Sequence, residues 1–355
     1  MGFLIIFLIP GIVILSVLAG ASYGHPNLAI WAPWIVGWGI VPIVQMQWPR
    51  EPFQTSAARA ASPAWTAYYR ILPLLALPVQ LAMLAVTTAA FVSGQFDLFG
   101  RIVLTITTGV FSAMFAVNIA HELIHRRERV DRIFGGLLLS TVSFGSFKIV
   151  HLQVHHPYVG TPLDFATARR GQNIYSFWLR ALAGNFVEAI RRERVRLRRS
   201  GKSIWTSELV PWTACTLACL SAAIYWWGPL GGLFFLMQSV IAIMYLDLIN
   251  FLQHYGLTRQ MVTADRPEPV QDHHSWTAAM FLDDLILLNL PRHSHHHSQP
   301  QRPYHLLEDS ADAPRYPYSY GVMTMLLLVP ALFRRVVHPC LDQFEAARAA
   351  RSASK

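Results

Sequence analysis

The sequence predicts an all-α integral membrane protein, with six transmembrane helices and a cytoplasmic, histidine-rich helical cap. Only 14% of its 355 residues are charged, whereas a soluble domain has about 25%. Several nearly uncharged stretches are long enough to cross a hydrocarbon core of about 30 Å as helices. The chain also has fifteen histidines, and fourteen of them follow the fourth apolar stretch.

The apolar stretches define the predicted spans in order. They are residues 3–21, 28–44, 71–92, 102–120, 211–227 and 230–250. The first lacks a basic start and is soon followed by a second span, so we expect a retained anchor and not a cleaved signal. The predicted division is 1–120 for transmembrane helices 1–4, 121–210 for a cytoplasmic region with the first two histidine motifs, 211–250 for helices 5–6, and 251–355 for a cytoplasmic region with His254, the last motif and the tail.

Basic residues set the expected orientation. Arg50, Arg59 and Arg70 lie between spans two and three, and residues 121–210 contain fifteen Lys or Arg. The connections on the other side contain almost none, with Arg101 the exception. Because short basic loops stay in the cytoplasm, both termini and nearly all histidines are expected there.

Ten histidines form four motifs. The motifs are H-E-L-I-H (His121, His125), H-L-Q-V-H-H (His151, His155, His156), the single His254 in N-F-L-Q-H-Y-G-L, and R-H-S-H-H-H (His293, His295, His296, His297). Residues four apart lie on one helix face. We therefore expect His121 with His125, and His151 with His155, each to direct two imidazoles at one ion.

The remaining histidines of these motifs suggest a second ion. His156, His296 and His297 are placed to reach it. Imidazole suits iron, zinc or copper, and nine ligands exceed what one ion uses. A single histidine is more often a satisfied polar residue, but nine at helical or tandem spacing after span ends predict a two-metal site.

These motifs resemble the membrane alkane 1-monooxygenase and xylene monooxygenase family. The likeness extends from Asn118 to Tyr304 and includes G-T-P-L-D-F-A-T-A-R-R-G-Q-N-I-Y-S-F (160–177) and H-S-W (274–276). It implies an O₂-dependent, non-haem di-iron enzyme of a bacterial inner membrane. Such an enzyme hydroxylates the terminal methyl group of an alkane, fatty acyl chain or alkyl-aromatic. Electrons come from a rubredoxin or ferredoxin-type reductase system, and nucleic acid is not an expected partner.

The resemblance also assigns residues. It implies as metal ligands His121, His125, His151, His155, His156, His254, His293, His296 and His297. His295 occupies a position that is usually Asp and is left out. Asp247 matches an acidic position of the family, and an ionisable residue inside a span is usually functional. Asp247 and Asp164 are therefore predicted to support ligand histidines as catalytic residues.

Several positions depart from the alkane-type pattern. Val150 and Val154 replace Glu and Gly, Gln253 replaces the Glu before His254, and Thr277 replaces an Asn. Gln253 is closer to the xylene-type branch, whereas R-H-S-H-H-H is closer to the alkane-type branch. The substrate class therefore stays open at this point.

Two other functions compete. A di-iron fatty-acid decarboxylase or desaturase would need a cationic anchor, for which the candidates are Arg126, Arg127, Lys148, Arg169 and Arg170. A metal transporter is a remote alternative, because its polar residues would lie at mid-membrane depth, whereas these spans are nearly uncharged apart from Asp247.

The substrate of a monooxygenase would reach the metals through an apolar channel between the spans. The candidate lining residues are Trp31, Trp34 and Trp38.

The basic run between Arg191 and Arg199 has two explanations. It can contact anionic headgroups, or it can dock an acidic redox partner. The three cysteines form no C-x-x-C pair, so the chain has no obvious iron–sulfur site of its own.

Overall fold

The computed structural model describes residues 2–47, 53–263 and 266–353. Arg50, which entered the orientation prediction, lies outside the described residues. Helices dominate the described ranges, which contain no β-strand and only two isolated bridges. The all-α prediction is confirmed.

Five helices are long and apolar enough to cross a membrane. They are α1 (Gly2–Tyr23), α2 (Pro26–Gln47), α3 (Pro63–Val92), α4 (Leu98–His125) and the last long helix, Leu209–His254. Between α4 and this last helix lie α5 (Arg129–Ser140), α6 (the continuous segments Phe147–Val150, His151–His155 and His156–Tyr158) and α7 (Ile174–Ser200). The last long helix is therefore α8.

Shorter helices follow α8. They are α9 (Phe281–Ile286), α10 (His293–Ser298), α11 (Tyr320–Leu327) and α12 (Pro330–Ala353). Additional helical turns are Ala57–Ala61, Ile204–Thr206, Asp272–His274 and Tyr304–Leu306.

Helix α8 combines the fifth and sixth predicted spans. Its 46 residues are interrupted at Gly228, which has φ 69° and ψ −172°. This φ lies in the region that glycine tolerates best, and Pro229 follows it. The break lies between the fifth predicted span, residues 211–227, and the sixth, residues 230–250.

The helix ends alternate between two sides of the molecule. At one side Phe3 of α1 packs on Tyr304, and the Gln45 side chain of α2 accepts a hydrogen bond from the Leu282 backbone N–H. Tyr69 of α3 stacks on His305 there as well. The histidine motifs at the ends of α4 and α8 lie on this side, which we call the histidine side.

The opposite side has exposed aromatic residues at its turns. Tyr23 ends α1, Phe99 begins α4, and Tyr225 and Trp226 precede the break in α8; all four are exposed. Aromatic residues are enriched where membrane helices meet the headgroups. This placement fits a multi-pass membrane protein.

Close helix packing positions the histidine side. A methyl group at Gly109 of α4 would lie 2.7 Å from the Gln238 carbonyl oxygen of α8, so only glycine permits this approach. Small residues at helix contacts are typical of membrane proteins, because close contact and not burial from water holds the helices together. Helices α4 and α8 therefore deliver His121, His125 and His254 to the same region.

Candidate metal centre

The nine predicted ligand histidines lie together in two groups. The first group contains His121, His125, His151, His156 and His296, and the second contains His155, His254, His293 and His297. Within each group the candidate ligand nitrogens all lie within 4.8 Å of one another. Residues more than 170 positions apart in sequence are thus brought to one place.

In the first group the Nε2 atoms converge. His151 Nε2 lies 2.9 Å from His125 Nε2 and 2.9 Å from His156 Nε2, and His296 Nε2 lies 3.2 Å from His156 Nε2. His121 Nε2 is buried without a hydrogen-bond partner. All five rings therefore direct the same nitrogen towards a shared space.

The second group repeats this arrangement. His293 Nε2 lies 2.9 Å from His297 Nε2 and 3.2 Å from His254 Nε2. His155 Nε2 is buried and unpartnered. The two groups are adjacent, since the rings of His156 and His297 stack with centroids 4.4 Å apart.

These distances fit metal coordination. Two nitrogens about 2.1 Å from one ion and about 90° apart are separated by about 3 Å. Burial lowers the pKa of His151, His156, His293, His296 and His297 well below the usual value. These imidazoles are then neutral at pH 7, which is the form that binds a metal.

One predicted pairing is wrong. His151 and His155 were expected to face one ion, but they belong to different groups, and His151 is joined by His156. The reason is local: the turn His151–His155 is π-helical. Because a π-turn bonds residue i to i+5, residues five apart share a side. His121 and His125, on an α-helical turn, do share a group as predicted.

Two histidines of the second group have a polar partner behind the ring. The Nδ1 of His155 lies 2.9 Å from Asp164 Oδ2, and both residues are buried. The Nδ1 of His254 lies 3.3 Å from the Ser275 hydroxyl oxygen. Such partners fix the tautomer and the orientation of a ligand ring. Asp164 thus contacts a candidate ligand, as its predicted role requires.

Asp247 lies differently. Its Oδ1 accepts a hydrogen bond of 3.2 Å from the Asn185 side chain of α7, and its Oδ2 has no partner. Within the described parts of the chain, no histidine bonds to Asp247. Its observed contact holds α7 against α8.

Sequence reasoning missed Arg292 and Asp284. Arg292 is 1% exposed and Asp284 is 0% exposed, and Arg292 Nη2 lies 2.8 Å from Asp284 Oδ2. Arg292 also donates to the backbone oxygens of Leu307 and Phe53. This guanidinium therefore fixes the start of α10, which supplies ligands to both groups. The sequence signal that could have found this buried ion pair is the two adjacent acids in the apolar run F-L-D-D-L-I-L-L.

Arg259, like Arg292, holds separate segments together through their backbone oxygens. Its Nη1 donates to the backbone oxygens of Pro157 and Val159, at 3.0 and 2.9 Å, and its Nε and Nη2 donate to the backbone oxygen of Glu268. It joins the segment after His156 to the segment after His254.

His295 is not predicted to be a ligand. Its Nδ1 accepts a 2.7 Å hydrogen bond from the backbone N–H of Glu308.

A largely apolar cavity of about 430 Å³ leads to the histidines. It is lined by His121 and His151 of the first group and His293 of the second. Helix α1 lines it from Ile5 to Leu15, a length of about 15 Å at a helical rise of 1.5 Å per residue. The cavity can therefore hold an extended apolar chain with one end at the candidate metal centre.

Only one of the three candidate tryptophans lines this cavity. Trp38 does. Trp34 stacks on Trp38 with ring centroids 4.7 Å apart and donates to the Thr107 hydroxyl, whereas Trp31 is 39% exposed. Trp34 lies one turn before Trp38 on the same face of α2, but it packs against Trp38 and does not line the cavity.

Known proteins share this sequence over most of its length. A family model described as fatty acid desaturase matches residues 98–326. Alkane 1-monooxygenase 1 of Pseudomonas aeruginosa is 35% identical, over 89% of this chain and 84% of the relative. Alkane 1-monooxygenase 2 of Alcanivorax borkumensis is 32% identical, over 93% and 87%. The hydroxylase component of xylene/toluene monooxygenase from Pseudomonas putida is 30% identical, over 66% and 63%.

The matched region begins with α4 and extends into α11, so it contains both histidine groups. The identity to the two alkane 1-monooxygenases extends over the spans as well. The chain therefore belongs to the membrane alkane and xylene monooxygenase family, and it is an oxidoreductase.

Proposed function

We propose that this chain is an O₂-dependent, non-haem di-iron monooxygenase that hydroxylates the terminal methyl group of a hydrophobic substrate. The substrate is an alkane, a fatty acyl chain or an alkyl-aromatic. One observation carries the proposal: the apolar cavity ends at histidines of both groups. The named relatives are alkane and xylene/toluene monooxygenases, which supports this reaction.

The proposed topology has six spans. At a rise of 1.5 Å per residue, a helix of 46 residues is about 69 Å long, twice the thickness of the hydrocarbon core. A return at Gly228 makes two spans of α8 and leaves both of its ends on the histidine side. Because the basic loops lie on this side, it would face the cytoplasm of a bacterial inner membrane. The division at 120, 210 and 250 then separates spans from cytoplasmic regions.

The proposed cofactor is a pair of irons held by the nine histidines. When bound, such a pair supplies the redox chemistry that oxidises a C–H bond with O₂, which zinc cannot do. The chain supplies neutral imidazoles on rigid helix ends. Asp164 holds the His155 ring in place, and Asp247 keeps α7 against α8.

The chain's other contribution is to position the substrate. The wall formed by α1, α2, α4 and α8 excludes water and aligns an alkyl chain along the helices. A methyl group at the inner end then lies beside His121, His151 and His293. Holding reactants in one geometry accounts for much of an enzyme's rate enhancement.

Electrons must come from another protein. All three cysteines are free, and Cys215 and Cys219 lie on α8, far in sequence from the histidine motifs. A rubredoxin or ferredoxin-type reductase system is the proposed donor, and acidic groups on it would pair with the basic histidine side.

The decarboxylase or desaturase alternative is less well supported. A carboxylate substrate needs a cation in the cavity, but no Lys or Arg among the described residues lines it. Three of the five candidate anchors are engaged elsewhere: Lys148 with Glu208, Arg126 with Glu122, and Arg170 with Asp342. Asp283, whose side chain lines the cavity, would repel an anion when its carboxylate is ionised.

The transporter alternative lacks a pathway. The candidate ligands lie on one side of the molecule at the ends of α4 and α8 and in the segments that follow. The cavity wall from Ile5 to Leu15 is apolar, whereas ion transport needs polar groups across the membrane.

A product assay tests the proposal. Membranes containing the protein, a reductase system and O₂ would receive decane or lauric acid, with products identified by gas chromatography. We expect 1-decanol from decane. Purified protein should contain iron, lost in His156→Ala and kept in His273→Ala, a histidine outside both groups. A terminal alkene without alcohol, or zinc without iron, would contradict the proposal.

A further inference from the structure

Two buried polar groups at the inner end of the cavity have no partner. Gln253 Nε2 and Tyr320 Oη are both buried and make no hydrogen bond, although each residue is only 2% exposed. Both residues line the cavity. The two side chains interact with each other, but not at the length and angle of a direct hydrogen bond.

Apart from the candidate ligand histidines, other polar side chains of this wall have partners. The Asn118 amide donates to the Leu287 backbone oxygen at 3.0 Å, and the Asp283 carboxylate accepts the Tyr320 backbone N–H at 3.0 Å. Trp38 Nε1 donates to the Thr324 hydroxyl oxygen at 3.2 Å. Outside the candidate ligand histidines, Gln253 and Tyr320 therefore stand out from these partnered side chains.

Leaving such groups unpartnered is costly. A buried amide or hydroxyl without a hydrogen bond costs about 1–3 kcal/mol. An amide N–H and a phenol O–H are both donors, and a hydroxyl oxygen has two lone pairs that can accept from both. An oxygen atom between these side chains would satisfy them, whereas an alkane would not.

The position relates these donors to the reaction. Gln253 directly precedes His254 of the second group, and His293 lines the same cavity. An oxygen bound between Gln253 and Tyr320 thus lies at the end where the substrate methyl group is oxidised. Gln253 is also one of the positions at which the sequence departs from the alkane-type pattern. A glutamate there would be an acceptor when ionised and could not donate.

We propose that Gln253 and Tyr320 bind the hydroxyl group of a primary alcohol at the histidine end of the cavity. The choice of an alcohol rests on the proposed function, because an alcohol is the product of that reaction. The site gives the protein a higher affinity for a primary alcohol than for the parent alkane. The two residues therefore determine specificity between these two ligand classes.

Competition binding tests this site without turnover. Full-length protein in lipid nanodiscs, with its resident metal and without reductant, would bind tritiated 1-dodecanol. Unlabelled 1-dodecanol and dodecane would compete, with protein-free nanodiscs correcting for partition into lipid. Tyr320→Phe and Gln253→Leu should each weaken alcohol binding about two- to tenfold, the usual effect of losing one hydrogen bond. Dodecane binding should change less than twofold.

The matched control is Tyr304→Phe. Tyr304 Oη is also buried and unpartnered, but Tyr304 does not line this cavity. Its loss should leave the preference for alcohol unchanged. The double variant should lose less than the sum of the single losses, because both donors bind one oxygen.

Other results would overturn the proposal. Equal weakening of alcohol and alkane would mean that the two residues only shape the cavity, and unchanged alcohol binding in Tyr320→Phe would exclude the site. A wild-type protein that prefers 1-dodecanol but makes no alcohol from dodecane would contradict the proposed function while leaving the binding site in place.

Discussion

The two histidine groups differ in what surrounds them. In the second group all four histidines are buried, and His155 and His254 have polar partners behind their rings. In the first group His125 and His156 are only partly buried. The Nδ1 atoms of His151 and His156 are buried without a partner, as are those of His293 and His297 in the second group. In the described part of the chain, no carboxylate or hydroxyl lies behind a ring of the first group.

This difference concerns how firmly each group is held. Polar partners behind a ligand ring fix its orientation before a metal binds, so the second group is the more preorganised one. The first group can adjust its rings and is closer to solvent. One short helix, α10, serves both, because it supplies His296 to the first group and His293 and His297 to the second.

The largest expected effect comes from Arg292→Met, which should disrupt both histidine groups and so remove the difference between them. Removing Arg292 leaves the buried Asp284 carboxylate without its ion-pair partner, a loss that costs about 3–5 kcal/mol. Because Arg292 fixes the start of α10, iron should be lost from both groups together. Iron content and the melting temperature of the purified variant would measure this.

The control for Arg292 is Arg315→Met. Arg315 pairs with Asp309 at the surface, where such a pair contributes about 0–1 kcal/mol. This variant should retain its iron. Normal iron content in Arg292→Met would show that α10 keeps its position without the contacts of Arg292.

Asp164→Asn should separate the two groups. The substitution removes the charge behind His155 and also weakens the contacts of Asp164 with Thr167 and Ala166. Loss of such a partner typically lowers metal affinity about 10–100-fold. Chelator titration followed by Mössbauer spectroscopy should show one of two iron sites weakened. Asp247→Asn, whose carboxylate contacts Asn185 instead, should leave both sites intact. Equal weakening of both sites by Asp164→Asn would refute the comparison.

A smaller effect is expected from Ser275→Ala. The hydroxyl oxygen lies 3.3 Å from His254 Nδ1, so one long hydrogen bond is lost and metal affinity at the second group should fall about two- to tenfold. Ser298→Ala is the control, because its hydroxyl bonds to the His295 backbone, outside both groups. The same chelator titration measures the metal affinity of both serine variants. A larger loss of affinity in Ser275→Ala than in Asp164→Asn would contradict the expected order of the two partners.

The nine candidate ligands could be predicted because their pattern is local. Spacing at i, i+4, tandem histidines and positions after apolar stretches are all visible in the sequence. How the histidines divide between groups could not be predicted. His151 shares a group with His156 and not with His155, because a π-helical turn places residues five apart, and not four apart, on one side.

The supporting residues were predicted only in part. Asp164 follows a histidine motif closely, and its contact with His155 fits the prediction. Asp247 was expected near a ligand because it matches an acidic family position and lies inside a predicted span, but neither fact shows which side chain it contacts. The partners of Arg292 and Arg259 are mostly backbone oxygens, which have no sequence signature.

The last prediction concerns the pH dependence of stability and His305, a buried histidine outside both groups. Burial lowers its pKa to about 4, with a smaller contribution from Arg126. The unfolded chain has a His pKa of about 6.5, so it binds the proton more tightly than the folded protein. This group therefore costs stability as the pH falls from about 6.5 to about 4, by up to about 2 kcal/mol at pH 5.

His305→Phe should remove this cost. The ring contact with Tyr69, at a centroid distance of 4.1 Å, is kept, so the melting temperature at pH 7.5 should change little while that at pH 5 rises relative to the wild type. In the control His25→Phe, at an exposed position, the melting temperature should depend on pH as it does in the wild type. An unchanged slope in His305→Phe would assign the acid sensitivity elsewhere.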